Sequence, residues 1–143
     1  MIRELRDTDK EAWRDLWRGY QEYYEVDLSA GEDELFGRLM NPGTDGPYAF
    51  VFEDDDGKLI GLVQYIFHIH TWTAAKRCYL VDLYTSPEAR GKGVGRSLIL
   101  AVDEAARSRG CTQTYWLTQE FNEAGRRLYD KVGKLTPFIK YQM

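Results

Sequence analysis

The sequence predicts one α/β domain over residues 1–143, a central mixed sheet that is mostly antiparallel, flanked by about four helices in the order β-α-α-β-β-β-α-β-α-β. Three observations predict it. The chain has 143 residues, 43% hydrophobic and 29% charged, which suits a single domain with its own core. Segments of period two and of helical period alternate along it, with no repeat, low-complexity tract or linker between them. A cluster of glycines joins a strand-like run to a helical one, so the strands on either side of that helix are expected to run parallel.

The elements follow in order. "IRELR" alternates and reads as a short first strand. Thr8 and Glu11 have the spacing of a capping box, and Trp13, Leu16, Trp17, Tyr20 and Tyr23/Tyr24 then recur as one aromatic helix face. Ser29 and Glu32 repeat the capping pattern before Leu35, Phe36 and Leu39, and "NPGTDGP" ends that second helix as a loop. "YAFVFE" and "LIGLVQYIFHIH" flank the acidic turn "DDDGK" and read as a hairpin. "RCYLVDLYT" is the next strand; period two along it sets Leu80, Asp82 and Tyr84 on one face, and Val81, Leu83 and Thr85 on the other. Leu98, Ile99, Val102, Ala105 and Ala106 form the apolar side of a third helix ending near Gly110. "CTQTYWLT" reads as a strand, "NEAGRRLYDKV" as a fourth helix and "LTPFIKYQM" as a last strand.

The stretch "SPEARGKGVGRSLI" opens the third helix with Gly91, Gly93 and Gly95. Free N–H groups at a helix start and the positive end of the helix dipole make an anion site, to which Arg90, Lys92 and Arg96 add charge. The expected anion is a phosphate. Two common phosphate loops fail: the Walker pattern needs Gly at 90 and Lys at 96, and the dinucleotide fingerprint needs Gly or Ala at 96, where the chain has Arg90 and Arg96.

"VDLYTSPEARGKGVGRSLI" resembles the acyl-CoA binding motif of the GNAT superfamily of N-acetyltransferases. "YWLTQEFNEAGRRLYDKVGKLTPFIKY" resembles the later half of that family, and the two blocks cover most of residues 78–141. The resemblance implies the GNAT fold and acetyl-CoA as cosubstrate. It assigns the pyrophosphate to the backbone of Gly91, Lys92, Gly93, Val94, Gly95 and Arg96, with Arg90 opening the motif. It lays the pantetheine arm along Leu83, Tyr84 and Thr85, adds Asn122 as a pantetheine contact, and makes Tyr129 the acid that protonates the departing thiolate. The ending is most similar to a branch with histone, polyamine and amino-acid acetyltransferases, though Lys134 follows Gly133 where "GF" is commoner. That departure leaves the acceptor open: a small polyamine or amino-acid-like amine first, a protein lysine or N-terminus second. The rival class is a non-catalytic acyl-CoA binding or sensor domain; a nucleotide-binding module ranks third because both phosphate signatures fail at position 96.

Acetyl transfer to an amine also needs a proton acceptor, because an alkyl ammonium with a pKa near ~10.4 is mostly protonated at neutral pH. Asp82, Glu120, His68 and His70 are the candidates, and no spacing selects among them. Asp82 serves equally as a structural carboxylate at a sheet bulge; Asn122 can cap the fourth helix as well, and the bland alternative for Tyr129, one of ten tyrosines, is packing, against which its motif context weighs. Glu22, Glu25 and Asp27 stand among tyrosines that suit an ammonium group, but read first as a solvated helix end.

A net charge of −4 with no basic stripe argues against nucleic acid as a partner. His68 and His70 lack a third ligand, so no metal is expected. Cys78 and Cys111 make no disulfide framework, the charged N-terminus is not a signal peptide, and no apolar run is long enough for a membrane. Cytoplasm is the expected compartment. The apolar last strand offers a sheet edge, which together with family habit is compatible with a homodimer.

Overall fold

The structure, a computed structural model, describes residues 1–143. The elements are β1 (Ile2–Glu4), α1 (Lys10–Tyr24), α2 (Glu32–Met40), β2 (Tyr48–Glu53), β3 (Leu59–His68), β4 (Arg77–Thr85), α3 (Val94–Ser108), β5 (Thr114–Tyr115) and α4 (Glu123–Val132). The sheet is five-stranded in the order β1-β2-β3-β4-β5. Its pairs are antiparallel except β4–β5, which is parallel and bridged by α3. In the β2–β3 turn the Asp54 carboxylate accepts the N–H groups of Asp56 and Lys58 at 3.0 and 2.9 Å.

The sheet separates two apolar cores. Leu98, Ile99 and Val102 of α3 pack on Val63, Cys78 and Leu80, whereas Trp13 and Trp17 of α1 and Phe36 and Leu39 of α2 pack on Val51 and Leu62. No helix is long and apolar enough to cross a membrane.

Several expectations are corrected. The two capping boxes do not form: α1 and α2 start after Asp9 and Gly31, and neither start has a side-chain cap. Asp9 accepts the Arg6 N–H at 2.8 Å, and Asp27 accepts the Ser29 N–H at 3.0 Å; short 3-10 turns then lead into both helices. The strand expected over "CTQTYWLT" shrinks to Thr114–Tyr115. The last strand is absent: residues 134–143 have no regular structure, and Leu135, Phe138 and Ile139 are 72–76% exposed. Pro137 removes a ladder donor, and the two residues of β5 offer almost no edge to pair with.

The strict alternation expected for β4 also fails. Gln64 pairs with Asp82 but Tyr65 with Leu80, so Val81 is an extra residue, a β-bulge. Leu80 therefore shares the α3 side with Leu83, while Asp82 and Tyr84 face α1. A bulge bends its strand and sharpens its twist, and β4 leaves β5 at this point.

Candidate active site

β4 and β5 pair only at Cys78–Thr114 and Tyr79–Tyr115. Beyond Tyr79 they diverge, and no strand borders that edge of β4. A cleft of about 60 Å³ opens in the gap. Leu80, Val81 and Leu83 form one wall and Trp116 and Leu117 the other; Ile99 and Tyr129 close it from the α3–α4 side, Tyr20 and Tyr24 from the α1 side. The cleft thus passes through the sheet. Leu83, Tyr84 and Thr85 lie on this unpaired edge, as an extended ligand pairing with backbone requires. The Tyr84 ring fills the space that a Cβ at Gly19 would occupy, which fixes α1 against β4.

The glycine loop stands beside the mouth of the gap. Gly91 and Gly93 have φ of 77° and 82°, the left-handed region, and a Cβ at either would meet open space. Val94 is buried against Gly61 of β3, so the start of α3 is seated on the sheet. The first backbone bond of the helix runs from Ser97 N–H to Gly93 O at 3.0 Å; the N–H groups of residues 91–96 have no acceptor. Consecutive free amides, the helix dipole and the exposed Lys92 and Arg96 fit an anionic group of pyrophosphate size. Arg90 points elsewhere: its Nε donates to Thr85 O at 3.1 Å and its guanidinium lies over the Tyr23 and Tyr84 rings at 5.4 and 5.7 Å.

Asn122 caps α4, its Oδ1 accepting the Gly125 N–H at 3.1 Å and the Tyr23 hydroxyl at 2.9 Å. Its Nδ2 donates to Thr118 Oγ1 at 2.9 Å, and the residue is buried. Asn122 therefore ties α1 to the β5–α4 loop. Tyr129 is half-buried at the cleft, its ring edge-on to Trp116 with centroids 5.6 Å apart. Burial first, then the neighbouring Tyr24 and Tyr23, pushes its pKa up to about 12. The phenol stays protonated throughout the neutral range.

Of the proton-acceptor candidates, Asp82 is the one bonded to a cleft residue. Its carboxylate accepts from Gln64 Nε2 at 2.9 Å and from the Tyr20 hydroxyl. Gln64 is fixed in turn by Trp13, whose Nε1 donates to Gln64 Oε1 at 2.9 Å. Burial raises the Asp82 pKa above the ordinary carboxylate range, and the two hydrogen bonds only partly offset it. Glu120 is exposed. His68 Nε2 meets the Tyr115 hydroxyl at 2.7 Å, and His70 lies in the β3–β4 loop. Tyr20 and Gln64 were not among the expected site residues. The signal for Gln64 was present, a lone amide in the apolar run "LIGLVQYIFH". Of Glu22, Glu25 and Asp27, all exposed, only Glu25 borders a hollow of about 320 Å³, shared with Tyr23, Tyr24 and Asn122.

Comparison with known proteins agrees with this geometry. A sequence model of the acetyltransferase (GNAT) family matches residues 5–133. A D-amino-acid N-acetyltransferase of Saccharomyces cerevisiae is 32% identical over 143 residues, covering 99% of this chain and 89% of the yeast protein. A thialysine N-epsilon-acetyltransferase of Sus scrofa is 32% identical over 133 residues, covering 93% and 74%. Among solved structures, a ribosomal-protein-alanine N-acetyltransferase from Brucella melitensis biovar Abortus 2308 superposes with a TM-score of 0.80 at 20% identity, covering 100% of this chain and 98% of the other. AAC(6')-Iy in complex with the bisubstrate analogue CoA-S-monomethyl-acetylneamine superposes with a TM-score of 0.83 at 19% identity, covering 100% and 97%. With the family matched over most of its length and the fold shared, the chain is an acetyltransferase of the GNAT family, an enzyme that transfers acetyl groups to amines.

Proposed function

We propose that the whole chain is one catalytic domain that moves an acetyl group from acetyl-CoA to the primary amine of a small amino-acid-like or polyamine acceptor. One observation carries the reading: the cleft between β4 and β5 is lined by Tyr129 on one side of the sheet and by Tyr20, a hydrogen-bond partner of Asp82, on the other, and the loop with the free amides of residues 91–96 packs on Leu83 and Thr85 of the same strand. Those amides, with Lys92 and Arg96, hold the pyrophosphate, and the open edge at Leu83, Tyr84 and Thr85 takes the pantetheine arm. Acetyl-CoA supplies an activated thioester at the cleft. Asn122 keeps the β5–α4 wall in place from its buried position.

Asp82 takes the proton that an ammonium must lose before its nitrogen attacks. Its raised pKa makes it a stronger base than an exposed carboxylate. Tyr129 gives a proton to the sulfur as the C–S bond breaks. The named activities of the relatives, on D-amino acids and thialysine, favour an amino-acid-like acceptor over a protein N-terminus. The free cysteines Cys78 and Cys111 suit the reducing cytoplasm, where we place the enzyme. We assign the exposed apolar tail around Phe138 and Ile139 to a homodimer contact.

The test is thiol release from acetyl-CoA across polyamines, both enantiomers of amino acids, aminoglycosides and a lysine-rich peptide, beside a binding titration with acetyl-CoA. Release with one amine class supports the reading. Binding without release from any amine refutes it in favour of a sensor.

A further inference from the structure

The sheet face on the α1 side continues past Asp82 to the far end of β4. Tyr79 follows, its ring parallel to that of Tyr115 at 5.0 Å. Tyr115 meets His68, and His68 pairs across the ladder with Arg77. The strip ends in a group of donors without acceptors. Arg77 Nε is buried and has no hydrogen-bond partner, and the single polar contact of the guanidinium is Nη1 to His70 Nε2 at 2.9 Å. The other ring nitrogen of His70, Nδ1, faces the Trp72 N–H at 3.1 Å.

A neutral imidazole has one lone pair. Two N–H donors face the two nitrogens of His70, so in either tautomer one contact sets donor against donor. Protonation makes both contacts repulsive; desolvation first, and then the Arg77 charge, holds the imidazole pKa down. Arg77 thus keeps its charge in a partly enclosed place, over the Trp72 ring at 5.5 Å, with no carboxylate beside it. Native structures pair such groups, and a guanidinium fork pairs best with a carboxylate.

We propose that Arg77 and His70 are the carboxylate subsite of the acceptor, which is therefore an amino acid whose reacting amine lies several carbons from its carboxylate. The spacing supports the length. At about 3.3 Å per residue, Arg77 lies about 10 Å along β4 from Leu80, where the cleft begins. An α-amino group and its own carboxylate share one carbon and cannot bridge that distance; an ω-amine can, with the Tyr79 and Tyr115 rings along its methylene chain. The charge order agrees, with Asp82 at the amine end and Arg77 at the carboxylate end. A polyamine would instead set a second cation against Arg77.

The inference rests on the acetyl-transfer reading, and the experiment separates the two. Initial rates are measured with 6-aminohexanoate and with its neutral amide, 6-aminohexanamide. The acid should have a KM about ten- to a hundredfold lower, the worth of a hydrogen-bonded charge pair. Equal KM values overturn the proposal without any variant. In Arg77→Gln the acid-over-amide ratio should fall to near one, with His70→Ala lowering it partway; a ratio that keeps its wild-type value in Arg77→Gln also overturns it. If no amine releases thiol, the acetyl-transfer reading fails and calorimetry decides the subsite. Binding of the acid but not the amide supports it, and no difference between them refutes it.

Discussion

Replacing Tyr129 with Phe removes one oxygen from the wall of the cleft and little else. The hydroxyl has no hydrogen-bond partner within the protein, and the edge-on contact with Trp116 at 5.6 Å survives in a Phe ring. Stability should change by no more than about 0.5 kcal/mol. The chemical step should suffer far more. A positioned general acid contributes about 10²–10⁴ in rate, a barrier difference of about 3–5 kcal/mol. A phenol raised to about 12 looks too weak an acid for a thiolate of pKa about 8.5 in water. Burial disfavours the charged form of a thiol as it does that of a phenol, so the surroundings that raise the Tyr129 pKa also make a thiolate leaving beside it a stronger base than in water. The assay is steady-state thiol release, with kcat and KM for acetyl-CoA resolved separately. The expected result is a kcat lower by about a hundredfold or more, an almost unchanged KM and an unchanged urea midpoint. Because Tyr129 titrates so high, it should contribute no alkaline limb to kcat near neutral pH. A kcat within about threefold of wild type would refute its role as the acid.

Asp82→Asn should abolish the acid limb of kcat/KM and slow the reaction, since its carboxylate must be ionised to accept a proton. Its folded pKa is raised, so the folded state holds its proton more tightly; stability from this group is present at low pH and lost as pH rises from the unfolded value through the raised one. The Asn variant should therefore be more stable than wild type at pH 7, read by urea unfolding at pH 4 and 7. Gly93→Ala forces φ of 82° on a residue with a side chain; it should lose about 1–2 kcal/mol in urea unfolding and weaken acetyl-CoA binding in a titration. Arg3 holds Asp9 and Glu53 and keeps the Asp9 carboxyl below the ordinary range. That stability is present above the unfolded pKa and lost as pH falls. Arg3→Ala should cost about 1–3 kcal/mol at pH 7 and much less at pH 2–3, checked by denaturation at both.

What could be read from the sequence was whatever depends on local spacing. The aromatic face of α1, the β2–β3 hairpin with its acidic turn and the glycine entrance to α3 all follow from residues within a few positions of one another. The features that required the structure depend on neighbours far along the chain. Nothing in "RCYLVDLYT" marks Val81 as an extra residue; the bulge exists because β3 pairs on both sides of it in different registers. Asp82 could not be chosen over Glu120, His68 and His70, because its distinction is the company of Tyr20 and Gln64. Arg90 has the composition of a phosphate ligand, but two tyrosine rings and the Thr85 carbonyl hold it against β4. The tail has the apolar residues of a strand, and forms none because a ladder needs a partner edge that two residues of β5 do not supply.

The passage of the cleft through the sheet has a kinetic consequence. Residues of α3 and α4 line one side and residues of α1 the other, so on the proposed reading acetyl-CoA and the amine approach from opposite faces of the sheet and meet in the middle. Neither has to leave for the other to arrive. Free coenzyme A should then compete with acetyl-CoA for one entrance while leaving the amine free to occupy the other. An acetylated acceptor should show the converse pattern. A molecule that joined both halves through the gap would be held from both sides of the sheet at once, and its affinity should approach the product of the two separate affinities.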